Sequence, residues 1–223
     1  MRLTPDDWIF FHAGFLKINA TIAFTWAVIS LISAGSWLAT RKMIITGPIP
    51  RWQNALEIVV TEISSQIANI GISNPTQVLP YIGTLFLFIS ISNICAIFPY
   101  FEPPTGSLST TAALATSVFF AVPIFGISEN GIKGYLKHYS EPTPLMIPFH
   151  ILSEFSRTVA LTVRIFGNVM SGTVILAILI SIVPLFFPIV ISIIGLITGV
   201  VQAYIFSILA TVFISAGIGS HNQ

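Results

Sequence analysis

The stretch SEFSRTVALTVRIFGNVMS, residues 153–171, places Arg164 deep inside an otherwise apolar segment with no acid set to neutralise it. Read as a helix, with about 3.6 residues per turn, it brings His150, Arg157, Arg164 and Ser171, each seven residues apart, nearly into line. Ser153 and Asn168 lie close to the same line. A polar stripe therefore climbs a hydrophobic helix whose remaining surface is covered by Ala160, Leu161, Val163, Ile165 and Phe166. Glu154 is the one local acid. Its ten-residue offset from Arg164 is about 80° around the helix and roughly 15 Å along it, too far for a direct pair.

The cost of such a cation decides how it is read. Near the centre of a bilayer it is unfavourable by about 2.5–3.5 kcal/mol on insertion scales, so such residues face protein or a water-filled path. Arg157 is close enough to the segment's end to carry its head back to the interface on its long stem. Arg164 sits about 10 Å further along the axis and has no such escape.

The rest of the chain supports a membrane setting. Apolar residues make up 54% of the 223 and charged ones 8%, which puts the chain, as one domain over 1–223, in the integral-membrane class. A net charge of +1 with scattered basic residues argues against a nucleic-acid partner. Cys95 stands alone, which rules out an intrachain disulfide or a cysteine metal cluster, and it reads as a packing residue. His12, His138, His150 and His221 lack ligand spacing on facing helices, which argues against haem; no cofactor or metal is expected.

In order, Trp8 to Phe15 reads as an interfacial lead-in and Ile18 to Ala39 as a first span closed by Arg41 and Lys42. From Pro48 to Ile72 the residues Trp52, Leu56, Val59, Ile63, Ile67 and Ile70 recur at helical spacing, with polar residues on the other faces. This predicts an amphipathic helix on the membrane surface. Val78 to Phe98 is a second span, with Asn93 as a polar interruption, and FEPPTGSLS after it is a loop of turn formers. Thr110 to Ile127 makes a shorter third span holding Pro123, followed by a polar loop from Ser128 to Pro148 with Lys133, Lys137 and His138.

Two segments are too long for an upright crossing. Phe149 to Val183 would run about 52 Å as a helix against a hydrocarbon core of about 30 Å, so it must tilt or kink. Pro188 to Gly217 is nearly as demanding, and Pro184 and Pro188 mark the turn of a hairpin. The expected architecture is all-α and polytopic: five transmembrane helices, one amphipathic surface helix and a carboxyl-terminal hairpin of two long tilted helices. Arg41, Lys42, Arg51, Lys133 and Lys137 put their loops on the cytoplasmic side, the amino terminus outside and the Glu102 loop outside.

At this level of detail the chain resembles subunit a of the F-type ATP synthase. The resemblance rests on LTVRIFGN at 161–168, Ser171 and Gly172, and VQAYIF at 201–206. QNALE at 53–57, SNICAIFP at 92–99 and PTGSLSTTAALA at 104–115 support it in the same order. It implies a stationary, non-catalytic subunit in contact with a rotor ring of subunit c, with stator subunit b and with the remaining subunits of the complex. Arg164 would face the membrane-buried carboxylates of that ring between two offset half-channels. An arginine stays protonated where a lysine can lose its proton, so it suits a fixed charge. Asn168, Gln202, Ser171, Thr173, Arg157 and His150 are the residues expected along the ion path, Gln202 by helping to position the arginine.

One departure from the family pattern bears on the ion. Nine residues after the arginine, where a carboxylate or histidine often stands, this chain has Thr173, and seven before the glutamine it has Gly195. Proton and sodium therefore both fit. The rival reading is a self-contained secondary transporter whose Arg164 binds an anionic substrate; it predicts internal repeats and broken helices in matching halves, and neither is evident. A membrane enzyme is disfavoured because Ser153 and Ser156 near His150 form no nucleophile motif. A bacterial or archaeal plasma membrane is the expected location, and an organelle inner membrane fits the same composition.

Overall fold

Apolar runs of bilayer length fold as helices because each backbone N–H and C=O must find its partner within the segment. A computed structural model of the chain describes residues 9–13, 16–41, 50–72, 74–98, 101–140, 146–182 and 187–219. Its helices are α1 (Ala20–Thr40), α2 (Arg51–Asn69), α3 (Pro75–Cys95), α4 (Leu108–Ser140), α5 (Met146–Ile182) and α6 (Phe187–Ile218), with a 3-10 turn at Pro104–Gly106. All but α2 contain a stretch long and apolar enough to cross a membrane, giving the five spans expected. Asp6, Asp7, Lys42, Pro48, Pro184 and His221 lie outside the described residues, as do the side chains of Trp52, Lys133, Lys137 and His138.

The amino-terminal lead-in is a short antiparallel ribbon, β1 (Ile9–Ala13) against β2 (Leu16–Asn19), with Ala13 opposite Leu16 and Ile9 opposite Asn19. Its isoleucine and paired phenylalanines favour extended backbone, and the run is too short for a stable helix. Two helix ends have a clear local cause. α3 opens with Pro75 in its first turn, where the missing N–H costs nothing, and α2 stops at Gly71, whose φ of 94° suits a left-handed residue. Pro80 and Pro123 are both carried inside helices.

The polar segment after the third span is not the loop its composition suggested. α4 continues to Gly131, where φ is 69°, and a second helical piece follows to Ser140. Tertiary bonds hold the polar end of the first piece: Asn130 Nδ2 donates to the Ile218 carbonyl, and Glu129 accepts from Asn74 Nδ2 at 3.0 Å.

α6 lies at the centre, packed on α3, α4 and α5, and α3 is flanked in turn by α2 and α1. Ile82, Ile89, Val118, Phe206, Ala210 and Ile214 are almost fully buried there. α2 lays Ile67 into this core and leaves Leu56, Ile58 and Val60 exposed, as an amphipathic surface helix does. α5 has 37 residues and α6 has 32, about 55 and 48 Å, and neither contains a non-helical residue. They therefore meet a 30 Å core by tilting, not by kinking.

The packed bundle does not follow them to their turn. The 3-10 turn reaches α5 at Val169 and Asn93 reaches α6 at Gly199. Beyond that level Ile175, Ile178, Ile182, Ile189 and Ile193 are exposed. The end of the hairpin is thus an apolar arm with no cover from the rest of the described chain, suited to hydrocarbon or to another subunit.

Candidate functional site

The helix that carries the polar stripe buries Leu161, Thr162 and Ile165 against the bundle and turns Arg164 outward. Arg164 is exposed, and among the described residues it makes no hydrogen bond or ion pair. Along α5 it lies between two polar regions, one lined by residues 150–158 and one that meets the helix at Val169.

The first is a cleft of about 160 Å³ between α4, α5 and α6, lined by His150, Ser153, Glu154, Arg157 and Phe213 among others. Three stripe residues are thus brought together as the helical spacing predicts. The Arg157 guanidinium stands 5.1 Å from the centroid of the Phe213 ring, a cation–π contact worth about 0.5–1 kcal/mol where exposed. Glu154, too distant to serve Arg164, belongs to this cleft.

The second region is buried, on the other side of Arg164 along α5. Thr105 Oγ1 donates to Asn93 Oδ1 at 3.1 Å, and Asn93 Nδ2 donates to the Gly199 carbonyl at 3.0 Å. Pro103 to Ser107, expected as an exposed loop, is wholly buried, and a Cβ added at Gly106 would lie 3.3 Å from Val169 on α5. Ser90 Oγ, Ser92 Oγ and Gln202 Nε2 are buried with no hydrogen-bond partner among the described residues. An unmet polar group in a dry interior costs about 1–3 kcal/mol, and an ordered water is the usual way such a group is satisfied. Sequence reasoning missed Thr105 and gave Asn93 no role; an amide inside an apolar span was the available signal.

The remaining stripe and path residues are placed as follows. Asn168, one turn from Arg164, is half-buried. Ser171 and Thr173 are exposed, their hydroxyls donating to the Asn168 and Met170 carbonyls of their own helix at 3.0 and 2.9 Å. Nine residues are two and a half turns, so Thr173 lies on the opposite side of α5 from Arg164. Gln202 is buried in α6, and among the described residues no hydrogen bond joins it to Arg164.

Among the described residues, then, an exposed arginine without an ion pair stands on one of two overlong helices, between a cleft and a buried polar region. The family model described as ATP synthase A chain matches residues 22–215. The chain belongs to this family. It is 58% identical over 216 residues to ATP synthase subunit a 1 of Chlorobaculum parvum, covering 97% of this chain and 96% of the relative. It is 57% identical to ATP synthase subunit a 1 of Chlorobium luteolum over the full length of both, and 57% identical over 216 residues to ATP synthase subunit a of Albidiferax ferrireducens, covering 97% and 94%. As an ATP synthase subunit a, the chain is a non-catalytic, multi-pass membrane component of a multi-subunit complex that makes ATP with ion transport.

Proposed function

We propose that this subunit a carries the transported ion between two half-channels that open at opposite ends of the molecule and are kept apart by Arg164. The observation that carries the proposal is the place of the arginine: exposed on α5, between the His150–Arg157 cleft and the buried Asn93–Gln202 region. Arg164 faces a ring of c subunits, each with one membrane-buried carboxylate, and stator subunit b holds the chain fixed against it. A permanent guanidinium favours the ionised form of each passing carboxylate and accepts no proton itself. It also blocks an ion from crossing directly, so passage requires rotation of the ring. One charge moved through 100 mV releases about 2.3 kcal/mol, the energy the rotation draws on. By the basic residues of the loops, the cleft end lies on the cytoplasmic side of a bacterial or archaeal plasma membrane, and the Glu102 end lies outside.

The contact with the ring is tested by cross-linking. Gly167 is exposed near Arg164, and a Cβ there meets nothing within 4 Å. In a Cys95→Ser background of the assembled complex, Gly167→Cys is expected to form a disulfide with a cysteine placed beside the ring carboxylate. If no position on the ring helix yields an adduct while the complex stays assembled, Arg164 does not face the ring.

The ion is decided by ATP hydrolysis of the assembled complex with and without sodium. The positions of Thr173 and Gly195 supply no ionisable relay, and a threonine hydroxyl is an acceptable lining for sodium. Stimulation by sodium assigns a sodium motor, and indifference to sodium across pH assigns a proton motor.

A further inference from the structure

Between the surface helix α2 and the span α6, with Ile82 and Phe86 of α3 also in its wall, lies a slot of about 230 Å³. None of the residues placed on the ion path lines it. Its position follows from how the two helices meet. Ser215 Oγ of α6 donates to the Ile70 carbonyl just past the end of α2 at 3.2 Å, and from that joint the helices part, since α2 packs mainly on α3 and touches α6 little. Ile70 and Thr211 line the slot near the joint, and Val59 and Tyr204 line it further away.

Its width limits what can enter. Along α6 the lining runs from Tyr204 to Thr211, roughly 10 Å, which leaves a cross-section of about 20 Å². A helix, about 10–12 Å across, needs roughly 80–110 Å². A single hydrocarbon chain fits this slot and a helix does not.

The chemistry is apolar inside and charged at one edge. Ser207 and Thr211 are in the lining, but their hydroxyls donate to the Ala203 and Ser207 carbonyls of their own helix at 2.9 and 2.8 Å, so neither offers a free donor to a polar ligand. Ile58, Glu62 and Gln66, four residues apart, form one row along α2. Glu62 is exposed, and its Oε1 accepts from Gln66 Nε2 at 3.1 Å. Among the described residues it makes no ion pair. One basic residue, Arg51, and two acidic ones, Glu57 and Glu62, give α2 a net charge of −1. An interfacial helix sinks its apolar face about 5–10 Å into the boundary between headgroups and acyl chains. A slot beside that face therefore opens at acyl depth, with headgroups at its edge.

We propose that the slot binds one acyl chain of a phosphatidylethanolamine whose ammonium pairs with Glu62 at the rim. Charge selects the headgroup: an ammonium donates charge-assisted hydrogen bonds to the carboxylate, whereas the anionic headgroup of a phosphatidylglycerol meets like charge on α2. The chain fills the gap between α2 and α6 and holds the surface helix against the span.

The test uses the assembled complex in vesicles of phosphatidylethanolamine and phosphatidylglycerol, with a trace of one or the other carrying a diazirine in its acyl chain. After illumination, adducts on this chain are mapped by mass spectrometry. They are expected within 58–70 and 204–211, about fivefold more from the ethanolamine lipid, the effect of one charge at a lipid surface. Val59→Trp fills the slot from an exposed position and should remove most of these adducts while labelling elsewhere on the chain persists. Glu62→Lys should reverse the headgroup preference. Absence of adducts from both segments of the unaltered complex overturns the proposal, as does equal labelling by the two lipids or labelling unchanged by Val59→Trp. A Val59→Cys complex in which a short bis-maleimide joins this chain to another subunit overturns it too, because protein then covers the slot.

Discussion

Replacing Arg164 with alanine is expected to yield an assembled complex in which ATP-driven ion uptake into vesicles falls by at least about a hundredfold, the scale on which a fixed charge in a dry site is worth its keep. Two opposite effects compete at this position, and their magnitudes separate the readings. If the guanidinium were a snorkelling or packing group, removing it would relieve about 2.5–3.5 kcal/mol of insertion cost, stabilise the chain and leave transport nearly normal. If it is the barrier between two paths, the relief in stability is irrelevant and coupling is lost. Arg164→Lys is expected to fail as well. A lysine keeps a positive charge in water, but in a desolvated site it shifts its pKa and releases its proton, and it lacks the planar fork that meets a carboxylate. Uptake driven by ATP, measured beside the amount of this chain retained in the complex, decides the matter; near-normal uptake by either variant would sink the central role of Arg164.

Most of this site was visible in the sequence because it depends on local quantities. Helical period and the cost of a buried charge singled out Arg164 without any knowledge of what surrounds α5, and the same period set His150, Ser153 and Arg157 into one cleft. The five spans were legible for the same reason, since apolar length is a local property. What escaped depends on contacts distant in sequence. The segment after Ser128 looks like a loop by composition, yet Asn130 and Glu129 are engaged by Ile218 and Asn74. Pro103–Ser107 has the residues of a surface turn. It is buried because it satisfies its own backbone, Gly106 N–H to the Pro103 carbonyl at 2.8 Å and Ser107 N–H to the Pro104 carbonyl at 3.1 Å, while Thr105 bonds Asn93. No pattern within the loop announces that.

The glycine pair on α6 shows the same limit and gives the second large effect. Gly195 and Gly199, four residues apart, both suit close helix packing by sequence. A Cβ at Gly195 would meet nothing within 4 Å, whereas one at Gly199 would lie 2.8 Å from Asn93 Cβ and 3.0 Å from its Cγ. Gly199→Val therefore forces α3 and α6 apart at their tightest contact, an overpacking cost of about 1–3 kcal/mol. It also pulls the Gly199 carbonyl from the Asn93 amide, a buried bond whose loss strands a donor at a further cost of about 1–3 kcal/mol. Together these come to about 2–6 kcal/mol, enough to reach the lower end of the roughly 5–15 kcal/mol stability of a small domain. Because α3 and α6 also carry the buried Ser90, Ser92 and Gln202, the same shift moves those side chains. The expected result is loss of most of the chain from the purified complex for Gly199→Val and ordinary retention for Gly195→Ala. Equal retention of the two, read from the ratio of this chain to the catalytic subunits, would show that α6 approaches α3 less closely than the Asn93–Gly199 contact requires.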